Sequence, residues 1–305
     1  MEQLENRTAF VTRHLARRLL SVSPGERIPT TSDIAGELGV GFGTVEKAIV
    51  ALRHGNVIKT RARGQMGTFL LERDLSRQWT AAGLGAAIGL LPIPNSMLFV
   101  GLATGITAWL ETTAVPFTLN FKNGGRIRVA ALVEGRADFA VVSRQTADVA
   151  LAEYADLIEA VALPERSYYA GHHIVSRLHP EKPRDEWVIG VDPTSFDHAS
   201  FCEALFPGLA TRNVRYVNLP YAIAKGDIDA TAVHSLSLVP LEVAQSLSVA
   251  PVEQWDETLR KASSAVILCR ADNAPLRAVF TEARDPVQIH EIQQAVIAGD
   301  HEPEY

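Results

Sequence analysis

The segment LGVGFGTVEKAI, Leu38 to Ile49, decides how the beginning of the chain folds. Apolar side chains recur in and just after it at positions i, i+3, i+4 and i+7, namely Val45, Ala48, Ile49 and Leu52. This spacing places them on one face of an α-helix. The helix begins at Gly-Phe-Gly and carries almost no charge at its start, so the role of its other face depends on the elements around it.

The surrounding residues predict four elements in a fixed order. A first helix is expected over 5–20, and Thr30 with Asp33 has the spacing of a capping box that begins a second helix over 31–38. Gly39 to Gly41 predicts a turn before the third helix. Residues 56–71 then alternate apolar and polar around a glycine-rich tip, which predicts a β-hairpin. This order is that of a winged helix-turn-helix domain, expected over residues 1–75.

Residues 25–70, GERIPTTSDIAGELGVGFGTVEKAIVALRHGNVIKTRARGQMGTFL, resemble the DNA-binding domain of the GntR family. The similarity includes the proline before the helix cap, the LGV turn, the Thr-Val pair of the third helix and the GTFL end of the wing. It implies that the domain binds double-stranded DNA.

The chain departs from the GntR pattern at positions that usually contact bases. Phe42-Gly43 stands where the family has Ser-Arg, and Glu46 stands where it has Arg. Arginine is the side chain that most often contacts guanine in the major groove. We therefore expect few base contacts from the third helix and phosphate or minor-groove contacts from the wing. The expected DNA-binding residues are Thr30, Thr31, Ser32, Phe42, Gly43, Thr44, Lys47, Lys59, Arg61, Arg63 and Gln65.

Charge is divided unevenly along the 305 residues, whose net charge is −6. Residues 1–75 contain 11 Lys/Arg and 8 Asp/Glu, a net of +3, and the remainder contains 18 and 27, a net of −9. A basic first domain agrees with DNA binding. Glu46 on the third helix leaves a second hypothesis open, that of a ligand-binding or scaffold protein whose winged helix no longer recognises DNA sequence.

The N-terminal sequence and the composition predict a cytoplasmic protein with no membrane segment. MEQLENRTAF lacks the basic and apolar regions of a signal peptide. The uncharged run 78–110 is long enough to cross a bilayer, but Pro92, Pro94 and Asn95 interrupt it. Cys202 and Cys269 fit neither a disulfide framework nor a zinc site.

After residue 78 the sequence alternates between strand-like and helix-like runs. Helices are expected over 96–110, 126–134, 196–206 and 275–283. Strands are expected over 86–91, 117–121, 139–143, 188–191, 214–218, 230–234 and 265–269. This alternation predicts an α/β fold with largely parallel sheets.

The body also contains an internal repeat. LVEGRADFAVVSR, 132–144, and AIAKGDIDATAVHS, 222–235, share a glycine, an aspartate three residues later and an apolar strand. Aligning Gly135 with Gly226 places Asp138 on Asp229. Two related α/β lobes in one chain predict a cleft between them.

This arrangement resembles the type II periplasmic-binding-protein fold that LysR-type regulators use as a sensor. With the winged helix, and with IGLLPIPNSMLFVGLATG and FAVVSR, nearly the whole chain resembles the YhfZ family of transcriptional regulators. The resemblance implies a ligand-sensing domain over 76–305. Lobe I would comprise about 82–163 and 264–305, and lobe II about 168–250.

Ligands of α/β sheets bind beyond the carboxyl ends of the strands, where helix N-termini offer N–H groups. Arg126 and Arg144 at such positions favour an anion, a carboxylate or a phosphate. The expected ligand-binding residues are Asn95, Ser96, Asn123, Gly125, Arg126, Ser143, Arg144, Asp192, Thr194, Ser195, His198 and His234.

No catalytic residue, metal site or cofactor is expected. Asp192, Ser195 and His198 lie close in sequence, but no G-x-S-x-G motif accompanies them and helix capping explains the serine. His172 and His173, adjacent on a strand, would point to opposite faces. We expect a homodimeric transcription regulator controlled by a small anionic metabolite, rather than an enzyme on the binding-protein fold.

Overall fold

The computed structural model describes residues 6–180, 182–234, 239–253 and 257–305. The chain divides into two compact units. The first unit comprises Met1–Ala87, Leu110–Thr118 and Asp272–Ala283, and the second comprises Ile88–Trp109, Leu119–Ala271 and Arg284–Tyr305.

The first unit contains the predicted helix-turn-helix and hairpin. Its elements up to residue 81 are α1 (Arg7–Leu19), α2 (Thr31–Leu38), α3 (Phe42–His54), β1 (Ile58–Ala62), β2 (Thr68–Arg73) and α4 (Leu75–Ala81). The first helix begins two residues later than expected, because the Asn6 side chain accepts a hydrogen bond from the Thr8 N–H and caps it.

Local signals explain where these helices begin and pack. Thr30 Oγ1 accepts from the Asp33 N–H at 3.1 Å and Asp33 Oδ2 accepts from the Thr30 N–H at 3.0 Å, which is the predicted capping box. Gly39, at φ 61°, ends α2 in the left-handed region. The apolar face of α3 packs against α1, with Val45, Ala48 and Leu52 buried.

The wing is an antiparallel hairpin of β1 and β2. A 3₁₀ turn, Gly64–Met66, forms its tip and Gly67 follows at φ 90°. A Cβ at Gly67 would lie 2.6 Å from Arg27 Nε, so both conformation and space favour glycine there. The predicted hairpin is confirmed.

Two five-stranded sheets lie in the rest of the chain. The first has the order β4-β3-β5-β12-β6 and the second the order β11-β7-β10-β8-β9. Their strands are β3 (Ala87–Leu91), β4 (Phe117–Phe121), β5 (Phe139–Ser143), β6 (Leu157–Ala162), β7 (His173–Arg177), β8 (Val188–Val191), β9 (Ala210–Asn213), β10 (Ala230–Val233), β11 (Leu247–Pro251) and β12 (Ala265–Arg270).

Helices connect most of these strands. They are α5 (Met97–Glu111), α6 (Gly125–Val133), α7 (Arg144–Glu153), α8 (Phe196–Leu205), α9 (Leu219–Lys225), α10 (Leu241–Ala244), α11 (Glu257–Ala262), α12 (Ala274–Glu282) and α13 (Val287–Ala298). The four predicted helices of the body correspond to α5, α6, α8 and α12, each within one residue of the expected bounds.

The sheets are mixed, so the expectation of largely parallel sheets is wrong. β3 pairs parallel with β5, and β8 pairs parallel with β9 and β10. By contrast, β12 runs antiparallel to β5 and β6, and β7 runs antiparallel to β10 and β11. The chain enters β7 and β12 from the other sheet, so no crossover helix within one sheet sets their direction.

One predicted strand is misplaced. The strand expected over 214–218 is β9, Ala210–Asn213, and Tyr216–Asn218 is a 3₁₀ turn. β9 is an exposed edge strand with the sequence ATRN, which has no apolar alternation to mark it. The strands β6 and β11 were not predicted, and β7 was expected only through the placement of His172 and His173 on a strand.

The internal repeat corresponds to the same local structure in both sheets. Gly135, at φ 71°, and Gly226, at φ 83°, each follow a helix. Asp138 Oδ2 accepts from the Ile88 N–H at 2.8 Å, and Asp229 Oδ2 accepts from the Val188 N–H at 2.8 Å. Each aspartate therefore joins the start of its own strand to the start of the neighbouring parallel strand.

None of the described helices combines the length and apolar character that a membrane span requires. Cys202 on α8 and Cys269 on β12 are buried.

Candidate functional site

The first residues of α3, Phe42 to Thr44, carry no charge. Phe42 is 60% exposed, and Gly43 and Lys47 are exposed beside it, whereas Thr44 is half-buried. Thr30, Thr31 and Ser32 lie at the start of α2. Glu46 is exposed on α3, as the second hypothesis assumed.

The wing carries its accessible positive charge on two arginines. Lys59 forms an ion pair with Glu72 at 2.5 Å, which neutralises part of the charge that we expected to face DNA. Arg61, Arg63 and Gln65 are exposed. The guanidinium carbon of Arg63 lies 4.5 Å from the centroid of the Phe69 ring, a cation–π contact that orients this side chain.

Within the second unit, a cavity of about 40 Å³ lies where strands of both sheets end. Segments after β3, β4 and β8 line it, together with the residue after β10 and the first segment that crosses between the sheets. Seven of the twelve expected ligand-binding residues line this cavity: Asn95, Asn123, Gly125, Asp192, Ser195, His198 and His234.

Three expected residues cap or orient structure beside the cavity instead of lining it. Ser96 Oγ accepts from the Phe99 N–H at 3.3 Å near the start of α5. Thr194 Oγ1 donates to Asp192 Oδ1 at 2.7 Å. Ser143 caps α7 and donates its hydroxyl hydrogen bond to Asp197 Oδ1 at 2.6 Å.

The two arginines expected to bind an anion lie outside the cavity. Arg126 is exposed, and its guanidinium carbon lies 3.4 Å from the centroid of the Phe196 ring. Arg144 pairs with Glu159 at 2.5 Å and Asp148 at 3.5 Å. The hydrogen bond from Arg144 lowers the pKa of Glu159 below its ordinary value. The charges of both arginines are therefore engaged elsewhere.

Arg128 is the arginine that lines the cavity, and it was not predicted from the sequence. Arg128 is only 2% exposed. Residues two apart on a helix point to different faces, which separates Arg128 from Arg126. The signal that could have found it is its spacing of three and four residues from Gly125 and Gly124, which puts it on the face of the helix N-terminus.

Aromatic residues that the sequence analysis also missed form much of the wall. They are Phe99, Tyr168, Tyr169, Phe201 and Tyr216, and His172 joins them. The rings pack edge to face, with centroids 4.1 Å apart for His172 and Phe201 and 5.1 Å apart for Phe99 and His234.

His198 is held as a neutral imidazole. Its Nδ1 accepts from the Asp192 N–H at 3.0 Å, so the proton lies on Nε2, which donates to the Ala232 carbonyl at 2.9 Å. Burial lowers the pKa of His198 to about 4.

His234 joins the two sheets across the cavity. Tyr216 Oη accepts from the His234 N–H at 3.0 Å and donates to His234 Nδ1 at 2.6 Å. Nε2 then donates to Asn95 Oδ1, 3.3 Å away on the segment after β3. Burial lowers the pKa of His234 to about 3, so this imidazole is also neutral.

Asp197 at the start of α8 also connects the two sheets across the cavity. Its carboxylate accepts hydrogen bonds from Ser143 Oγ at 2.6 Å, Thr146 Oγ1 at 3.2 Å and Tyr169 Oη at 3.2 Å. Burial raises the pKa of Asp197 above its ordinary value, although these hydroxyl donors oppose the shift. Polar contacts therefore join the two lobes beside the cavity.

Comparison with known proteins agrees with this architecture. Residues 74–305 match the model of the YhfZ C-terminal domain, and residues 23–70 match a helix-turn-helix domain. The chain belongs to the YhfZ family. YhfZ of Escherichia coli K12 is 29% identical over 301 residues, which cover 95% of both chains. The crystal structure of YhfZ from Shigella flexneri has 26% identity and a TM-score of 0.60, covering 76% of this chain and 98% of that one.

More distant matches support the two parts of the YhfZ-family chain separately. The HTH-type transcriptional regulator Rv1152 of Mycobacterium tuberculosis H37Rv is 37% identical over 76 residues, covering 23% of this chain and 61% of that one. The alkanesulfonate-binding protein SsuA of Xanthomonas axonopodis pv. citri has 17% identity and a TM-score of 0.51, covering 70% of this chain and 76% of that one. The body thus has the periplasmic-binding-protein-like fold that was predicted.

Proposed function

We propose that this protein is a transcription regulator whose winged helix binds operator DNA and whose cavity binds a small effector that controls this binding. The observation that carries the proposal is a helix-turn-helix domain in which the start of α3 and the wing arginines are exposed. Its similarity to a transcriptional regulator supports the same conclusion. The cavity at the strand ends supports an effector site.

The proposal is tested by fluorescence anisotropy on the duplex that flanks the gene and on a random duplex of equal length. Tighter binding to the flanking duplex at physiological salt is expected, since specific complexes outcompete non-specific ones. Equal affinity for the two duplexes would favour the scaffold hypothesis and overturn the proposal.

We propose that the cavity binds its ligand without converting it. His198 and His234, two of the three histidines that line the cavity, each have both ring nitrogens engaged by groups of the protein. We also propose a homodimer, because two helix-turn-helix domains contact two half-sites of an operator. Sedimentation of the free protein and of its DNA complex measures this stoichiometry.

The Arg63→Ala variant is expected to bind specific and random DNA more weakly to a similar degree. Loss of one phosphate contact should also lower the slope of log affinity against log salt by about one. The matched control is Lys59→Ala, which should change affinity less because Glu72 already pairs with Lys59. Anisotropy at several salt concentrations measures both slopes, and equal slopes in Arg63→Ala and the wild type would contradict a phosphate contact.

The Gly43→Arg variant is expected to raise affinity for random DNA. A Cβ at Gly43 would meet no atom within 4 Å, so the new side chain fits without displacing anything. Arginine is also a better helix former than glycine by roughly 0.7–1 kcal/mol. Anisotropy and thermal unfolding check both effects; a lower melting temperature with lost binding would show that DNA approaches the Gly43 backbone closely.

A further inference from the structure

We infer that the effector is a small monocarboxylate with an uncharged, largely apolar body, and that Arg128 binds its carboxylate. The inference rests on the proposed function, because it concerns the same cavity. It narrows the ligand class and assigns the anion-binding role to Arg128 in place of Arg126 and Arg144.

The first observation is a buried cation whose partners are all uncharged. Arg128 Nε donates to the Val141 carbonyl at 2.9 Å, Nη1 donates to the Lys122 carbonyl and Nη2 donates to Tyr168 Oη at 2.5 Å. Within the described part of the chain, no carboxylate forms an ion pair with this guanidinium. The charge of Arg128 opposes the burial that raises the pKa of Asp197, but the guanidinium donates no hydrogen bond to that carboxylate. Two of its five N–H donors remain for an anion in the cavity.

The second observation is the start of α6 at the same cavity. Gly124 and Gly125 line it, and Gly125 is the first residue of this nine-residue helix. A helix N-terminus carries partial positive charge. At α6 the Arg126 N–H already donates to the Thr194 carbonyl, and the N–H groups of Ile127 and Arg128 donate to the Gly124 carbonyl. Arg128 lies three residues after Gly125, on the same side of the helix. A carboxylate in the cavity can therefore meet the guanidinium and the helix N-terminus together.

The charged residues that line the cavity favour a ligand with one negative charge over a ligand with two. Asp192 and Asp197 also line the cavity, and each accepts hydrogen bonds from N–H or O–H groups of neutral residues. A phosphate ester with two negative charges would be repelled by both. A carboxylate has the planar shape and single charge that match one guanidinium.

The size and walls of the cavity define the rest of the ligand. Its volume of about 40 Å³ is small. The rings of Phe99, Tyr169 and Phe201 form apolar wall. A body of a few carbon atoms fits both properties, whereas a sugar phosphate fits neither.

The test is calorimetric titration of the full-length protein with acetate, propanoate, 2-methylpropanoate and benzoate, and with propanamide and inorganic phosphate for comparison. At least one monocarboxylate is expected to bind, and propanamide and phosphate are not. Arg128→Met removes the charge and keeps the length, and is expected to lower the affinity for that carboxylate about 10- to 100-fold. Arg126→Met, on the exposed side of the same helix, should retain wild-type affinity.

A second variant keeps the test valid if Arg128→Met fails to fold. Arg128→Lys keeps a positive charge in place but loses the planar pair of donors, and is also expected to bind the carboxylate more weakly. Binding of phosphate or propanamide with no carboxylate bound, no binding of any of the carboxylates, or full affinity in both Arg128 variants would overturn the inference. Anisotropy on the same samples reports DNA binding separately, so its failure would overturn the proposed function and leave the carboxylate result standing.

Discussion

Between pH 7 and pH 5 the free energy of unfolding is expected to fall by about 4 kcal/mol because of His198 and His234 alone. Burial holds their pKa values at about 4 and about 3, against 6.5 for an ordinary imidazole. As the pH falls through 6.5 the unfolded chain binds protons that the folded chain excludes. The stabilisation is therefore complete above pH 6.5 and is lost as the pH falls towards 4.

Other buried groups change the size of this effect. Burial also lowers the pKa of His172 well below its ordinary value, which adds to the loss at acid pH. Burial raises the pKa of Asp197, so its contribution to stability grows as the pH falls and offsets part of the loss. Urea unfolding followed by circular dichroism at pH 7, 6 and 5 measures the net change.

A glutamine at position 198 separates the histidine contribution from general acid unfolding. In His198→Gln the amide can still accept from the Asp192 N–H and donate to the Ala232 carbonyl, but it does not titrate. The decrease in the free energy of unfolding between pH 7 and pH 5 should be smaller than in the wild type by about 2 kcal/mol. The matched control is His54→Gln, which removes an exposed imidazole and should keep the wild-type loss. An unchanged loss in His198→Gln would contradict a buried neutral imidazole.

The helix-turn-helix could be predicted because its signals are local. The Thr30–Asp33 capping box, the left-handed Gly39 and the apolar face of α3 each involve residues within a few positions of one another. The directions of β7 and β12 could not be predicted in this way. The direction of each of these strands depends on a crossing of the chain from one sheet to the other, and no residue near the strand specifies that crossing.

The candidate cavity was predictable in position but only partly in its residues. Asn95, Asp192 and His198 could be predicted as ligand-binding residues because they follow the ends of strands, where capping and turn residues are common. Arg128, which lines the cavity, was not among the predicted residues, because proximity in sequence does not distinguish it from Arg126 unless the rotation of the helix is known.

The tyrosines of the wall had no sequence signal at all. Tyr168 and Tyr169 lie in the first crossing segment, outside any helix or strand. The backbone N–H groups of the two tyrosines donate hydrogen bonds to the Ser263 carbonyl, which lies in the second crossing segment, at 2.7 and 3.3 Å. A contact between residues some 95 positions apart fixes these rings, so only the folded chain brings them to the cavity.

Close packing of two helices makes Gly105 a glycine of the second unit whose replacement should be strongly damaging. Gly101 and Gly105 lie four residues apart on α5, on the face that meets α13. A Cβ at Gly101 would lie 2.7 Å from the Gln293 carbonyl oxygen, and a Cβ at Gly105 would come still closer to the Ile289 carbonyl oxygen. Both obstacles are backbone atoms, which cannot move aside as the end of a side chain can.

Gly105→Ala is therefore expected to lower the free energy of unfolding by about 2–3 kcal/mol, the range of overpacked cores. Helix propensity alone predicts the opposite sign, since alanine favours a helix by roughly 0.5–1 kcal/mol over glycine. Gly36→Ala isolates that propensity, because a Cβ at Gly36 on α2 meets nothing within 4 Å and should stabilise the protein slightly. Urea unfolding of both variants supplies the comparison. If both variants were stabilised alike, α5 and α13 would not be packed backbone against backbone at Gly105.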